Sequence, residues 1–131
     1  MHYRALPAPF KPLADKFYRA HRSPMRANRD DRVWVAQQQE IVAALCLRPI
    51  AGGHWLTGLF VAPPQRRQGV ARRLIEQAVT EADGPVWLFC QPGLGDFYRR
   101  QGFMPCGSLP EALAERLARY QRSKALIALY R

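Results

Sequence analysis

The stretch between Leu59 and Val79 constrains the fold most, because it joins a strand pattern directly to a helix pattern. It begins with a short apolar run, "LFVAP", and continues through a polar loop into "GVARRLIEQAV". From Val70 onward, apolar residues recur at the three- and four-residue spacing of one helix face, which predicts a helix. The apolar positions of that face are Val70, Leu74, Ile75, Ala78, Val79 and Ala82. Asp83–Gly84–Pro85 ends this helix, and the fully apolar run Val86–Cys90 that follows is typical of a strand in the middle of a sheet.

Strand and helix patterns also alternate along the rest of the chain. Further strands are predicted at His2–Leu6, Asp31–Gln37, Ile41–Leu47 and His54–Val61, and in the C-terminal "ALIALYR". Further helices are predicted at Pro12–His21, Asp96–Gln101 and Pro110–Arg122. There is no internal repeat, linker or low-complexity segment. The sequence therefore predicts one mixed α/β domain over residues 1–131.

Composition excludes several classes of protein. At 131 residues, 48% hydrophobic and 23% charged, the chain is long enough and apolar enough to bury a core, so it is not a disordered protein. No apolar run approaches the ~20 residues of a membrane span, and the N-terminus lacks a signal-peptide layout, so we expect a cytoplasmic protein. Cys46, Cys90 and Cys106 are widely spaced and odd in number, which favours buried thiols over a disulfide framework or a metal site.

The net charge of +10 is high for a chain of this size, and arginine supplies most of it. Such an excess attracts an anionic partner, which can be nucleic acid, an acidic protein or a ligand with several phosphates. Net charge alone does not choose among these three.

The start of the helix after the polar loop has the properties of an anion site. The first N–H groups of a helix have no acceptor inside it, and their partial positive charge attracts anions. Gly69 and Ala71 are small where bulk would block a close approach, and arginines surround them. Crowded cations at a helix N-terminus oppose the helix dipole by roughly 0.3–1 kcal/mol each, and a bound anion would remove that penalty. An arginine-flanked turn without a ligand is the alternative. The spacing fits neither a Walker motif nor a dinucleotide fingerprint.

Two motifs together resemble the Gcn5-related N-acetyltransferases, the GNAT family. "RRQGVA" at Arg66–Ala71 resembles the family signature R/Q-x-x-G-x-G/A and has the same place, after an apolar strand and at the start of an amphipathic helix. About thirty residues downstream, Phe97–Tyr98 and Gly102–Phe103 match the F-Y-x-x-x-G-F of the short helix after the family's fifth strand. The resemblance is firm from about Trp55 to Cys106. It implies a single-domain acyl-CoA N-acyltransferase fold: a mixed central sheet, flanked by helices, with its fourth and fifth strands splayed apart.

The resemblance also implies a ligand and the residues that bind it. In this family, backbone amides at the helix start hold the pyrophosphate of acetyl-CoA, and the preceding strand pairs with the pantetheine arm. The residues that take these roles here are Leu59, Phe60 and Val61 on the strand, and Arg66, Arg67, Gln68, Gly69, Val70, Ala71 and Arg72 at the loop and helix start. Gln91 stands where the family often has an asparagine that contacts the cofactor. No metal is implied.

The implied reaction is transfer of the acetyl group to a primary amine by direct attack in a ternary complex. Tyr98 matches the family tyrosine that can protonate the departing CoA thiolate. Trp55 stands where several members keep a basic carboxylate, and His54, next to it, points to the opposite face of the strand. Glu40 and Asp31 reach the site only if the hairpin brings them there.

Several alternatives stay open. An acyl-cysteine at Cys90 is the alternative to direct attack. A non-catalytic acyl-CoA-binding regulatory domain is the alternative to an enzyme, and a basic nucleic-acid-binding domain is a third reading, although the aromatics are not interleaved with basic residues. The short chain favours a small-molecule acceptor, and the arginines of Pro110–Arg122 suit one with a carboxylate or phosphate. Dimers are common for the fold, so a homodimer is compatible with the sequence.

Overall fold

The computed structural model describes all residues from Met1 to Arg131. The strands are β1 (His2–Ala5), β2 (Arg32–Gln37), β3 (Ile41–Ile50), β4 (Gly53–Val61), β5 (Val86–Cys90), β6 (Met104–Pro105) and β7 (Ile127–Tyr130). The helices are α1 (Pro12–Ala20), α2 (Val70–Glu81), α3 (Gly95–Arg99) and α4 (Glu111–Tyr120). Single 3-10 turns lie at Ala8–Phe10, Pro63–Gln65 and Pro92–Leu94. Every predicted helix and strand is present with slightly different ends, and the short strand β6 is an addition that the sequence did not predict.

The strands form one mixed sheet with the order β1-β2-β3-β4-β5-β7-β6. All neighbours are antiparallel except β4 and β5, which are parallel. Their pairing is limited to His54 with Val86 and Trp55 with Trp87. Beyond Trp55, β4 therefore has no partner on its β5 side, and the two strands leave a gap at their carboxyl ends. This is the splayed arrangement that the resemblance implied.

Side chains alternate between the two faces of the sheet and build a core on each. On one face, Leu74 and Ile75 of α2 and Tyr98 of α3 pack against the strands in the largest hydrophobic cluster. On the other face, α1 packs through Phe17 and Tyr18 in a second cluster. That face also holds a third cluster, in which α4 contributes Leu113 against Trp55 and Trp87. The gap between β4 and β5 is thus flanked by helices on both faces.

A β-bulge interrupts β4 just before the gap. Ala44 of β3 pairs with Phe60, but Cys46 pairs with Thr57, so β4 has one extra residue between these pairs. Gly58 lies in this extra stretch with a φ of +68°, a left-handed conformation that glycine adopts without strain. The bulge shifts the register of everything after it, including the residues that border the gap.

None of the helices is both long and apolar enough to cross a lipid bilayer.

Candidate functional site

The gap opens into a cleft of about 410 Å³ between the end of β4, the start of α2 and helix α3. Its thirteen lining residues are Leu59, Phe60, Val61, Gln65, Arg66, Arg67, Gly69, Val70, Ala71, Arg72, Leu94, Phe97 and Tyr98. Most of them are apolar, the charged ones are all arginines, and no carboxylate is among them. The cleft therefore suits a ligand with an apolar part and an anionic part.

The structure brings nearly all of the predicted site residues together in this cleft. Of the predicted cofactor-binding residues, only Gln68 and Gln91 do not line it. The Gln68 side chain folds back, and its Nε2 donates to the Pro64 carbonyl at 3.1 Å. Gln91 is exposed and precedes the 3-10 turn at Pro92–Leu94. The binding roles of all these residues remain predictions.

Three lining residues were not predicted for the site: Gln65, Leu94 and Phe97. Leu94 and Phe97 are three residues apart, and Leu94 is 48% exposed. Phe97 packs against the largest cluster and also borders the cleft. The apolar residues that follow Pro92–Gly93 were the sequence signal from which this side of the cleft could have been predicted.

Free backbone amides occupy one end of the cleft. The N–H groups of residues 67–72 have no hydrogen-bond acceptor within the protein, and the first backbone bond of α2 runs from Arg73 N to Gly69 O at 3.1 Å. No side chain caps the helix. Arg67 and Gly69 have φ values of +65° and +78°, so the loop turns twice through the left-handed region before α2 begins. Consecutive free amides in such a turn form a concave site for an anion.

Formal positive charge surrounds these amides. No acidic residue lies in the first turn of α2, where Arg72 and Arg73 stand instead. Arg72 also borders a neighbouring cavity of about 330 Å³ with Arg73, Glu76, Arg100 and Gln101. Glu76 is paired with Arg131 at 2.8 Å, so it does not neutralise the other arginines. The positive charge at the start of α2 is therefore not neutralised by acidic residues, and a bound anion would be stabilised there.

Arg66 fixes the end of β4. Its Nε donates to the Val61 carbonyl at 2.8 Å, and its guanidinium lies 5.2 Å from the centre of the Phe60 ring. These two contacts tie the loop to the strand that it follows. The loop that carries the free amides is thereby joined to the end of β4.

Tyr98 is the only residue in the cleft with a hydroxyl. It is 7% exposed, and its ring packs edge-on against Phe97 and Phe103. Burial, and to a lesser extent the nearby Cys90, raises the pKa of Tyr98 to about 12. The hydroxyl is therefore protonated at neutral pH and has a proton to donate.

Cys90 is buried at the end of β5, in the largest cluster. Burial raises the pKa of its thiol, and the charge of Arg99 opposes this only in part. Because the thiolate is the reactive form, these surroundings disfavour Cys90 as an acyl acceptor.

The candidate bases lie outside the cleft. His54 Nε2 lies 3.1 Å from the Asp83 carbonyl oxygen. Trp55, the next residue, is buried on the face of β4 opposite to His54. Asp31 is fully buried, where it accepts hydrogen bonds from Arg48 Nε and Asn28 N. Glu40 borders a separate groove beside α1. The cleft itself offers no protein group that would take a proton from an ammonium.

Sequence and structure comparisons agree on the family. The family model described as "Acetyltransferase (GNAT) domain" matches residues 29–105, more than half of the chain. No curated protein matches the sequence. Escherichia coli ElaA is similar in structure over 100% of this chain and 99% of its own, with a TM-score of 0.70 and 17% identity.

Two further solved structures are similar over nearly the whole chain. An aminoglycoside 6'-N-acetyltransferase complexed with coenzyme A has a TM-score of 0.72 at 15% identity and covers 100% of this chain and 96% of its own. A mutant of the spermidine N-acetyltransferase SpeG from Vibrio cholerae has a TM-score of 0.63 at 17% identity and covers 99% and 94%. At these identities the likeness to solved structures shows the shared fold.

Proposed function

The chain belongs to the acetyltransferase (GNAT) domain family, and from this premise we propose that it transfers an acetyl group from acetyl-CoA to a primary amine on a small molecule. In this proposal residues 1–131 form one catalytic domain, and acetyl-CoA and the amine are held together in a ternary complex.

The observation that carries the proposal is the row of free amides at residues 67–72. A diphosphate has acceptor oxygens in two adjacent groups, and consecutive N–H donors at a helix start match it better than any single side chain. Gly69 allows a close approach, because even an added Cβ there would meet no atom within 4 Å, and Ala71 is also small. Arg67 and Arg72 supply the formal charge on either side of this cradle.

The unpaired edge of β4 supports the rest of the ligand. Leu59, Phe60 and Val61 line the cleft, and β5 does not pair with them. A pantetheine arm contains two amide groups, so it can hydrogen-bond along such an edge much as a strand would. In this proposal the thioester end lies in the gap between β4 and β5, beside α3.

Tyr98 supplies the proton that the leaving group requires. In the reaction the amine nitrogen forms a bond to the acetyl carbonyl carbon, and the resulting oxyanion collapses as the carbon–sulfur bond breaks. The sulfur leaves as a thiol if Tyr98 donates its proton. The nitrogen, which is cationic after its attack, loses a proton to water as it becomes the amide nitrogen, and solvent returns a proton to Tyr98. Because burial raises the pKa of Tyr98, the hydroxyl is protonated at neutral pH and its proton is present when the sulfur leaves.

The acceptor enters with little help from protein carboxylates. With none in the cleft, the amine either arrives neutral or loses its proton to water. The proteins of similar structure that acetylate an aminoglycoside or spermidine act on molecules with several amines. We propose an acceptor with fewer positive charges here, because several cationic amines would be repelled by the arginine-lined cleft and the overall charge of +10.

Acetyl-CoA titration tests binding first. Saturating acetyl-CoA should raise the melting temperature by several degrees, because a ligand that binds only the folded state stabilises it. Acetyl-pantetheine, which lacks the phosphates, should raise it far less. No shift with acetyl-CoA would contradict the proposal.

Turnover is tested next with a panel of amines, by release of free CoA. The panel includes amino acids, aromatic amines, spermidine and an aminoglycoside. Tyr98→Phe should lower kcat by roughly 10²-fold or more while acetyl-CoA affinity is retained. Tyr130→Phe, which removes a hydroxyl from a tyrosine outside the cleft, is the matched control.

A non-catalytic acyl-CoA-binding domain is the second candidate, and one observation favours it. The cleft lacks a carboxylate, and Trp55 fills the strand position where the resemblance implied one. Tight acetyl-CoA binding without CoA release on any amine of the panel would support this second candidate over the enzyme.

A further inference from the structure

The hydroxyl of Tyr18 makes the shortest side-chain hydrogen bond to the backbone in the protein. Tyr18 lies in α1 and is fully buried. Its Oη donates to the Gly58 carbonyl at 2.6 Å, across a separation of forty residues in the chain. Gly58 is the left-handed residue of the β4 bulge. A helix on one face of the sheet is thereby bonded to the irregular point of the strand that borders the cleft.

A second buried group completes this contact. Cys46 Sγ lies 3.8 Å from Tyr18 Oη. A tyrosine hydroxyl has a single proton, and that proton goes to the Gly58 carbonyl, so the thiol is the donor in its contact with Tyr18. Burial raises the pKa of both groups, that of Cys46 to about 12, so at neutral pH both keep the protons that these hydrogen bonds require.

The bond also fixes the backbone on the cleft side of the bulge. The peptide between Gly58 and Leu59 is trans and planar, so its N–H points opposite to its carbonyl. When Tyr18 holds the Gly58 carbonyl toward α1, the Leu59 N–H is directed away from α1. Leu59, Phe60 and Val61 follow directly and line the cleft. The orientation of the peptide between Gly58 and Leu59 therefore influences where the backbone of Leu59–Val61 lies.

Gly58 and the Tyr18 hydroxyl are too close together to leave room for a side chain at position 58. A Cβ at Gly58 would lie 2.9 Å from Tyr18 Oη and 3.6 Å from its Cζ. Real Cβ atoms do not approach oxygen that closely, so any side chain there would displace the hydroxyl. The glycine thus serves both the left-handed backbone and the tyrosine.

We propose that Tyr18 is a positioning residue of the acetyl transfer, which holds the β4 bulge so that Leu59–Val61 present the thioester end of acetyl-CoA to the amine. The inference rests on the proposed function. Tyr18 does not line the cleft, so it acts through the backbone of β4 and not on the reacting atoms. The diphosphate cradle at residues 67–72 is a separate part of the site and does not depend on it.

The first experiment compares Tyr18→Phe with wild-type protein. The change removes the hydroxyl and leaves the Gly58 carbonyl buried without its donor, which favours another orientation of the bulge. We expect kcat to fall on the order of 10- to 100-fold, because small displacements of reacting groups have effects of this size. The affinity for CoA should change less than about twofold, because the phosphates dominate its binding. Tyr130→Phe should leave both quantities unchanged.

A double-mutant cycle separates positioning from a general loss of stability. Gly58→Ala alone should lower kcat, because the new methyl group displaces the Tyr18 hydroxyl as well as straining the backbone. In the Tyr18→Phe background there is no hydroxyl left to displace, so the same Gly58→Ala change should have a smaller effect. The two substitutions are therefore expected to be non-additive in kcat.

The outcomes are distinct. If kcat falls at unchanged CoA affinity, with every variant assayed well below its melting temperature, the positioning role is supported. If kcat is unchanged in Tyr18→Phe, or falls only with the folded fraction and with CoA affinity, the role is wrong and Tyr18 is structural. If wild-type protein neither binds acetyl-CoA nor releases CoA, the proposed function itself fails and this inference falls with it.

Discussion

Two buried tyrosines, Tyr18 and Tyr98, have similar surroundings and different tasks. Both are at most 7% exposed, and burial raises the pKa of both. The hydroxyl of Tyr18 is committed to the Gly58 carbonyl, whereas that of Tyr98 borders the cleft. A tyrosine whose hydroxyl donates to a backbone carbonyl can fix the backbone conformation, but its proton is already used in that hydrogen bond. A tyrosine at the cleft can donate one.

The raised pKa values predict a loss of stability at alkaline pH. An unfolded tyrosine titrates near 10, whereas Tyr98 titrates at about 12 in the folded protein, and the pKa of Tyr18 is raised as well. Above pH 10 the unfolded chain therefore loses protons that the native protein keeps. The native state then binds more protons, so the free energy of unfolding falls as pH rises from about 10 to 12.

Urea denaturation at a series of pH values measures this slope. Tyr98→Phe should make it shallower, because the substituted side chain no longer titrates. Tyr130→Phe, at a side chain that is 39% exposed, is the control for removal of a tyrosine hydroxyl. An identical slope in wild type and Tyr98→Phe would mean that the hydroxyl is not withdrawn from solvent in the native protein.

The start of α2 could be predicted from sequence because its properties are local. Free amides belong to any helix start, and the arginines and Gly69 stand next to them in the chain. The β4 bulge could not be predicted, because its stabilising contact comes from Tyr18, forty residues away. The left-handed Arg67 was not predicted either, since arginine has no preference for that region. Local chemistry thus predicted the cradle, and long-range packing determined the strand edge beside it.

Gly69→Ala tests how much the cradle depends on its left-handed turn. At a φ of +78° an alanine is strained by about 1–2 kcal/mol, although its Cβ would meet no neighbouring atom. We expect the loop to relax toward another conformation, with the amides no longer converging and acetyl-CoA affinity reduced by about tenfold or more. The melting-temperature shift with acetyl-CoA measures this.

Gly107→Ala is the matched control for that substitution. Its Cβ would also meet nothing within 4 Å, its φ is not in the left-handed region, and it lies outside the cleft. The control should keep wild-type affinity. Equal affinity for Gly69→Ala and the control would show that the turn is dispensable for binding.

Helix α4 should matter for stability and not for the diphosphate cradle. Leu113 is fully buried against Trp55 and Trp87, and no residue of α4 lines the cleft. Leu113→Ala should lower the free energy of unfolding by about 2–5 kcal/mol through the cavity it leaves. At low temperature, acetyl-CoA affinity should stay at the wild-type value.

Leu13→Ala removes the same atoms from a side chain that is 44% exposed, so it should cost less than about 1 kcal/mol. A large loss of acetyl-CoA affinity in folded Leu113→Ala would contradict the separation of the two faces of the sheet.

The elements around the gap between β4 and β5 contribute different parts of the candidate site. The β4–β5 pairing stops after two residue pairs, which opens the cleft. The start of α2 supplies charge at one side of the gap, and α1 fixes the strand edge from the opposite face. Hydrophobic periodicity predicted the order of strands and helices, and the resemblance implied the sheet with its splayed fourth and fifth strands. The structure adds which helix packs on which face of that sheet. The acceptor could not be predicted, because no short motif encodes the shape of its binding surface.

The charge of +10 predicts how binding responds to salt. Part of the attraction for acetyl-CoA comes from arginines at the protein surface, and added salt screens such charges: the Debye length falls from about 10 Å at 0.1 M to 3 Å at 1 M. We expect acetyl-CoA affinity, measured by calorimetry, to fall several-fold between about 0.1 and 1 M NaCl and then to level off, because the backbone amides of residues 67–72 act at contact distance and are screened less. Acetyl-pantetheine, without phosphates, should show almost no dependence. If instead a single-stranded RNA binds with strong salt dependence and acetyl-CoA does not compete with it, the excess charge serves nucleic acid and the cradle is not its target.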